Sequence, residues 1–589
     1  MRLTEEQKNI INSQGDIKIN AVAGSGKTTT LIEYAKKQSK KSDRLLYLAF
    51  NASVKKYARD KFSSEGLRNV RVETAHSLAF DSVVKRSSFN IGTNYSSGQI
   101  RDILSLNTDG RDVNAPYVLA NHIKKFAAYY CNSNKDKVQE LDYRSVVSDP
   151  VAKAFVNSYY SQIEYGTRLL LAKMYKCEID INHDFYLKLF QLKSPELDYD
   201  YILFDEGQDA SPAMLDVFLK QGATKVIVGD THQQIYSWRY AINSLEKVLG
   251  FTELSLSTSF RLDEEIARLA MEILKWKRHF TSYRENPIIG SGGGRVIHKS
   301  AVIARTNLKL LVRAINMVTA YGGIKKIYFE GNLNSYTYAG EGASIYDVLN
   351  LSREKYHLIK DELIGSMQSI DELKSYAEKT EEAELMMLID IVQEYGEELP
   401  ALLKLLREKH VSDGDRDKAD VIFSTVHRCK GLEYDEVTLE KDFISEDTIT
   451  RLIKKEGLSN IDAAGLAEEI NLLYVAVTRT RSKLNIPEEL TNTETRGLIS
   501  DSPQHVLVSA KGSAGKYNSS VSKSIVFKKP LSNSVKWTDE MDAELEKRVS
   551  RKVPMKFISE YFGASKKSVR KRLSELDLYE KYDLNPERY

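Results

Sequence analysis

The sequence predicts an α/β protein built on parallel sheets, and three observations carry that prediction. Short apolar runs alternate with helical patterns from Ile17 onward, which is the rhythm of βαβ units. One run, Ile17–Asn20, opens directly into A-V-A-G-S-G-K-T-T-T at 21–30, a Gly-rich turn that starts a helix. Another, Tyr201–Phe204, ends in two acids, as at the exit of a buried parallel strand.

Taken in order, the first strands are expected at Ile17–Asn20, Leu45–Ala49 and Val70–Glu73, each followed by a helix. Strand signals then fade from about Gly92 to Ile181, where His122–Tyr130 and Val151–Tyr175 look helical and Tyr-rich. They resume at Tyr201–Phe204, Lys225–Val228 and Glu253–Leu256. A second α/β unit begins near Arg261, with strands expected at Val296–His298, Ala301–Ala304, Ile327–Phe329, Val421–Ser424, Val437–Leu439 and Lys483–Ile486. Gly290–Gly294 reads as a connector, and the charged stretch between about Asn332 and Asp420 as a helical insertion. Residues from about Glu488 to Lys536 are polar and Ser-rich, as in a linker. The last segment has three short helical patterns. Met541, Leu545 and Val549 line the first, Met555–Phe562 forms the second, and Ser565 caps a third with Val569, Leu573 and Leu576 on its apolar side. Lys566, Lys567, Arg570, Lys571 and Arg572 occupy the other faces of the third. A helix-turn-helix-like module that contacts duplex DNA is one reading, and a solvated helical cap or protein-docking module is the other.

The residues at 21–30 make a phosphate-binding loop, although Ala21 stands where the generic pattern has its first Gly. Gly24 and Gly26 let the backbone of Ala23–Thr29, including Ser25, curl so that its N–H groups point at phosphate oxygens. Lys27 can then reach the outer phosphates and Thr28 can offer its hydroxyl to Mg²⁺. Asp205 can hold the same ion, directly or through water. Glu206 can orient and deprotonate an attacking water, so the pair supplies the metal clamp and the base that phosphoryl transfer needs.

Composition bounds the rest. The 589 residues suffice for several cores, and 42% hydrophobic with 28% charged residues is ordinary globular usage. A net charge of +3 excludes a polybasic chain, so nucleic-acid contact has to come from local grooves. The 3 Cys, at 131, 177 and 429, lack metal-ligand spacing and read as free thiols in a reducing compartment. The start M-R-L-T-E-E-Q-K has no apolar targeting core, and no run of membrane-spanning length appears. A cytoplasmic or nucleoid-associated protein with no membrane partner is expected.

Further segments fall in a fixed order: L-T-E-E-Q ending at Gln7, Y-L-A-F-N ending at Asn51, Thr74-Ala75-His76, G-D-T-H-Q-Q-I-Y-S-W-R at 229–239, T-S-F-R at 258–261, S-T-V-H-R-C-K-G-L-E-Y at 424–434 and N-L-L-Y-V-A-V-T-R at 471–479. This ordered set resembles the UvrD/Rep-like branch of superfamily 1 helicases, and in H-Q-Q-I-Y, S-F-R and N-L-L-Y-V-A-V-T-R it is similar to the F-box DNA helicase subgroup. With Gln7 so near the first residue, no F-box is expected ahead of the motor. The resemblance implies two RecA-like parallel-sheet domains with helical insertions, ATP and Mg²⁺ in the cleft between them, and single-stranded DNA across the top. Residues 1–92 and 181–258 would form the first domain around an insertion at 93–180. Residues 259–331 and 421–490 would form the second around an insertion at 332–420, followed by a linker at 491–536 and the helix-turn-helix-like module at 537–589.

By the same resemblance, Gln7 reads the adenine edge, Phe260 stacks on the base, Glu433 contacts the ribose and Gln233 senses the γ-phosphate. Arg261 and Arg479 act as arginine fingers from the second domain. Phe50, Asn51, Thr74, His76, Tyr236, Trp238, Arg239 and His427 are placed on the DNA track. Tyr236 and Trp238 can stack on bases without selecting sequence, and the competing reading of Trp238 is a half-buried core aromatic. The chain departs from the commoner pattern at Thr29, Tyr240, Cys429 and Asn471, where Arg, Gly, a small residue and Arg are usual. The function implied is a 3′-to-5′ DNA helicase and single-stranded DNA translocase acting at single/double-strand junctions in repair, recombination or replication. The alternatives are a translocase that mainly strips proteins from DNA and a nucleotide-switched DNA-binding protein that does not unwind.

Overall fold

The computed structural model describes residues 3–85, 87–107, 114–237, 240, 243–283, 285–293, 296–319, 324–331, 333–339, 342–500, 504–508, 537–550, 555–562 and 564–582. Two six-stranded parallel sheets dominate it. The first joins β1 (Ile17–Ala21), β2 (Leu45–Ala49), β3 (Val70–Thr74), β4 (Tyr201–Phe204), β5 (Thr224–Gly229) and β6 (Thr252–Leu256) in the order β3-β2-β4-β5-β1-β6. A short parallel pair comes next, β7 (Thr258–Ser259) with β8 (Ile289–Gly290). The second large sheet joins β9 (Ser300–Ala304), β10 (Ile327–Phe329), β11 (Val421–Thr425), β12 (Tyr434–Leu439), β13 (Thr480–Pro487) and β14 (Val506–Val508) in the order β10-β11-β9-β12-β13-β14. Strands buried on both faces read as unbroken apolar runs, and β2 is buried at every residue. The fold is thus the expected pair of RecA-like parallel-sheet domains.

Helices fill the gap between β3 and β4. Ala115–Asn132 and the 26-residue helix Pro150–Tyr175 pack together, and Gly166 allows the approach: a Cβ there would lie 2.4 Å from Ile123 Cδ1. A bridge between Ile91 and Ile181 closes the base of this insertion. Between β10 and β11 lies a second helical insertion whose longer helices are Ile370–Thr380, Ala383–Tyr395 and Leu399–Lys409. The two insertions meet. Asn121 donates to Glu382 at 3.0 Å, Arg101 to Glu362 at 2.9 Å, and the buried His122 Nε2 lies 2.9 Å from the Lys379 carbonyl. Burial pulls the His122 imidazole down to about 4, so it stays neutral in this seam.

Two expectations are corrected. Val296–His298 is not a strand; Val296 is exposed, and the N–H groups of His298 and Lys299 donate to the Asp435 carboxylate at 3.0 Å instead of to a neighbouring strand. The expected linker is ordered at its start. Residues 493–500 form a helix begun by Asn492, whose Oδ1 accepts from Thr495 N at 2.8 Å, and β14 extends the second sheet beside β13. The buried His505 pins this segment: Nδ1 accepts from Leu484 N at 3.1 Å and Nε2 donates to Asp263 at 3.0 Å. The remainder of the linker, 509–536, lies outside the described residues.

The Gly-rich stretch after β8 is a place of close contact, not a free connector. A Cβ on Gly290 would lie 2.2 Å from Asp263 O and 2.6 Å from Glu264 N, and one on Gly292 would lie 2.4 Å from the Arg261 carbonyl. Backbone atoms cannot rotate away, so the clash has to move a strand. Gly290→Ala is expected to destabilise the protein by about 1–3 kcal/mol, while Gly222→Ala, whose Cβ meets nothing within 4 Å, is expected to be neutral. Thermal melts of the two variants check this; equal melting temperatures would mean the 258–264 segment yields freely.

Candidate functional site

The strands of the first sheet all run parallel, so their C-terminal ends share one edge. β1 delivers the loop at 22–28, β4 delivers Asp205 and Glu206, and β5 delivers Asp230 and Gln233. β2 and β3 deliver Phe50–Asn51 and Thr74–His76. Ligands of open parallel sheets bind at this edge, where no strand continues and helix N-termini converge.

Gly24 and Gly26 have φ of +75° and +78°, the left-handed region that favours glycine. A Cβ on Gly24 would lie 2.6 Å from Arg261 Cβ, so the loop backs directly onto the segment that carries Arg261. Two bonds fix it there: Ser259 Oγ donates to Ala23 O at 2.7 Å, and Phe260 N to Gly24 O at 3.0 Å. A Cβ on Gly26 would lie 3.3 Å from Gln7 Nε2 and 3.8 Å from the Phe260 ring, so these two side chains flank the loop. Gln7 is buried, donating to Thr30 Oγ1 at 3.2 Å and accepting from Thr4 N at 3.0 Å. The Ser25 hydroxyl is buried with no partner, a polar atom that fits a loop shaped around phosphate oxygens.

Lys27 and Thr28 open the helix Lys27–Gln38. Lys27 Nζ lies 2.8 Å from Glu206, and Thr28 Oγ1 donates to Asp205 at 3.3 Å. Tyr47 OH also donates to Asp205. Glu206 has φ +56°, costing about 1–3 kcal/mol for a residue with a Cβ. Gln208 holds it, donating to Glu206 at 2.6 Å while its Oε1 accepts from Asp230 N at 3.1 Å. Asp230 in turn accepts from Gln233 Nε2 at 2.7 Å and Tyr474 OH at 2.9 Å. Thr28 and Asp205 together are the residues present that would suit a hard divalent cation.

Charge in this space is tightly balanced. Burial works against the Lys27 ammonium, but Glu206, Asp205 and Asp230 outweigh it and raise it above its ordinary value. Burial likewise pushes the Glu206 carboxyl up, yet Lys27, Lys430 and the Gln208 bond pull it down to about 2. Asp205 goes the other way, raised by burial and by the Glu206 charge beside it.

The second domain completes the site. Arg261 donates to Glu433 at 2.7 Å and to the Thr478 carbonyl at 3.2 Å, and Glu433 also pairs with Arg481. Arg479 is 1% exposed, and its guanidinium donates to Val475 O at 2.9 Å and Leu432 O at 3.3 Å. Burial and the neighbouring Arg261 pull Arg479 down to about 10. Sequence reasoning gave no role to Lys430, which crosses the cleft: its Nζ reaches Asp209 at 2.7 Å and the Gln233 carbonyl at 2.6 Å. Gln208, Asp209, Asp230, Lys430 and Tyr474 all sat inside the motif strings, so position within a motif was the only signal for them.

Beside this cleft runs a groove of about 1050 Å³. Phe50, Asn51, Thr74, His76 and Tyr236 line it, and His183 joins them from helix His183–Lys193. Phe50 and Tyr236 stack at 5.6 Å, Tyr236 OH donates to the His427 carbonyl at 3.1 Å, and Lys430 Nζ sits 4.7 Å from the centre of the Tyr236 ring. Trp238 and Arg239 lie outside the described residues. Lys430 therefore touches the groove wall and the acid cluster at once.

Residues 3–248 match the UvrD/REP helicase N-terminal domain and residues 216–488 the UvrD-like helicase C-terminal domain. F-box DNA helicase 1 of Gallus gallus is 32% identical over 520 residues, covering 83% of this chain and 49% of that protein. F-box DNA helicase protein 1 of Schizosaccharomyces pombe is 28% identical over 530 residues, covering 83% and 58%. The chain spans about half the length of the curated relatives it matches.

The Lys430–Asp209 pair is buried on both sides, with side chains 8% and 0% exposed. Burial pushes the Asp209 carboxyl up to about 6 despite Lys430 opposing it. A raised carboxyl favours the folded state when protonated, so its charged form loses stability as pH rises from the ordinary carboxylate range through about 6. Removing the cation should deepen that loss. Lys430→Met is expected to cost about 3–5 kcal/mol at pH 8 and much less at pH 5, where Asp209 is protonated. Melting curves at the two pH values check this; a pH-independent difference would mean the pair carries no buried charge.

Proposed function

The chain belongs to the UvrD-like helicase family, with both of that family's domains present between residues 3 and 488, and from that premise we propose that it is an ATP-driven DNA motor that moves 3′ to 5′ along single-stranded DNA and unwinds duplex ahead of it. The carrying observation is Lys430, one side chain that meets both the Glu206–Asp209–Gln233 cluster and the Phe50–Tyr236 stack. A group shared by the two sites gives a physical route by which DNA in the groove alters catalysis, and the reverse.

In this reading the loop at 23–29 cradles the triphosphate and Lys27 shifts from Glu206 to the outer phosphates. Thr28 and Asp205 would hold Mg²⁺, which supplies charge to the phosphate oxygens. Glu206, ionised at neutral pH, orients the attacking water and takes its proton as the water oxygen bonds to phosphorus and the bond to ADP breaks. Gln208 keeps Glu206 aimed. Arg261 lies against the loop, and Arg479, just past the helix that carries Tyr474, supplies a second positive charge when the domains meet. Gln7 and Phe260 flank the loop where a base would sit. Phe50 and Tyr236 offer flat surfaces that hold bases without reading them.

The test is ATP hydrolysis with and without single-stranded DNA, alongside unwinding of 3′-tailed and 5′-tailed duplexes. Hydrolysis stimulated by DNA, with unwinding of the 3′-tailed substrate alone, is expected. Stimulated hydrolysis with no unwinding of either would favour a protein-stripping translocase. Glu206→Gln should bind ATP normally and hydrolyse it very slowly; near-normal turnover would remove Glu206 as the base. Arg479→Ala should lower turnover by about a thousandfold, with a much smaller change in ATP affinity, because its charge matters chiefly in the transition state. Equal losses in both quantities would mean that Arg479 serves the fold and not the phosphate.

A further inference from the structure

The motor leaves unused the helices at the end of the described chain, Asp539–Ser550, Met555–Phe562 and Lys566–Glu575, followed by the single turn Leu578–Lys581. Their inward side chains are Leu545, Val549, Met555, Ile558, Val569 and Leu573, each no more than 2% exposed. The second helix ends at Phe562 and the third begins at Lys566, a spacing of the length found between the two helices of a helix-turn-helix. Ser565 caps the third, its hydroxyl accepting from Ser568 N at 3.2 Å. With Val569 and Leu573 turned inward, the outward side presents Lys566, Lys567, Arg570, Lys571 and Ser574, all exposed. Their spacing puts them on one stripe of the helix. The ten-residue helix is about 15 Å long, a rod that a major groove about 12 Å wide accepts.

Among the described residues, acids of the module pair away from Lys566 and Lys567. Asp542 takes Arg572 on the inner flank, Glu546 takes Lys581 at 2.5 Å, and Glu575 takes Arg572 at 2.8 Å. Glu575 lies 3.7 Å from Lys571, at the far end of the helix. Among the described residues no carboxylate lies within ion-pair distance of Lys566 or Lys567. These helices bury their apolar faces in the same apolar cluster as the second domain, and the outward side of the third is a positively charged ridge. Asn and Gln, the side chains that read adenine in a major groove, are absent from that helix.

We propose that this unit is a second DNA site, in which helix Lys566–Glu575 lies along the major groove of duplex DNA and Lys566, Lys567, Arg570 and Lys571 contact phosphates without selecting sequence. The partner is duplex, whereas the groove of the motor takes a single strand. The inference rests on the DNA-motor reading, since a duplex grip serves a motor working at a junction.

The experiment uses the full chain with Lys566→Ala, Lys567→Ala and Arg570→Ala combined, against blunt duplex lacking any single-stranded tail. Affinity is measured by anisotropy over a series of salt concentrations, with single-strand-stimulated ATP hydrolysis in parallel. The slope of log affinity against log salt should fall in magnitude by about 2.7, close to 0.9 for each of three lost phosphate contacts. Hydrolysis should stay within about twofold, because no motor residue is touched. A charge-preserving triple, Lys566→Arg, Lys567→Arg and Arg570→Lys, should keep the original slope. Superimposable curves for wild type and the alanine triple would overturn the proposal and leave protein docking as the use of the stripe. A slope lost equally in the charge-preserving triple would overturn it too, since that is loss of fold. If the slope changes as expected while wild type shows no DNA-stimulated hydrolysis, the motor reading fails and the duplex site stands.

Discussion

Four carboxylates, Asp205, Glu206, Asp209 and Asp230, gather at one edge of the first sheet, and the first domain supplies a single lysine among them. Desolvated acids at such density are tolerable only with cations and donors in contact. The second domain provides them: Lys430 to Asp209 and Tyr474 to Asp230, with Arg261 and Arg479 close behind. Apposition of the two sheets is therefore required by charge as well as by apolar packing. The buried acids of the first domain and the cations and donors of the second are thus held to one another across the cleft.

Much of this was legible in the sequence for a simple reason. Buried parallel strands write themselves as short unbroken apolar runs, and the residues just after each run lie at the ligand edge. The positions of Gly24, Lys27, Thr28, Asp205 and Glu206 come from that rule, whereas Gln233 comes only from the resemblance of the ordered motifs. Where the rule has nothing to read, expectation failed. β14 has three residues in a polar stretch, too short for any period, and Val296–His298 is apolar enough to imitate a strand while its N–H groups go to Asp435. Contacts made by folding alone were invisible as well. Lys430 and Asp209 are separated by 221 positions, and no local pattern pairs them.

Departures from the commoner motif pattern have physical explanations in two places. Asn471, where an arginine is usual, accepts from the buried Lys277 at 2.6 Å and donates to the Gln234 carbonyl at 2.8 Å. The positive charge has moved to a different helix, and the asparagine relays it to the loop after Gln233. Burial holds that Lys277 down to about 8. Tyr240, where a glycine is usual, has φ +59°. A tyrosine there carries a backbone cost that glycine avoids, offset by its ring beside Tyr129 at 5.2 Å and its hydroxyl bond to the Lys125 carbonyl at 2.9 Å.

That tyrosine changes the mechanics of the loop it ends. Gln233 is tied to the acid edge through Asp230 and Lys430, Tyr236 is tied at mid-length to Phe50 and His427, and Tyr240 is tied to a helix of the first insertion. Gln233, Tyr236 and Tyr240 are thus three fixed points among the described residues. A displacement at Gln233 therefore bears on Tyr236 three residues away, the ring that lines the groove. Glycine at 240 would remove the third of these fixed points.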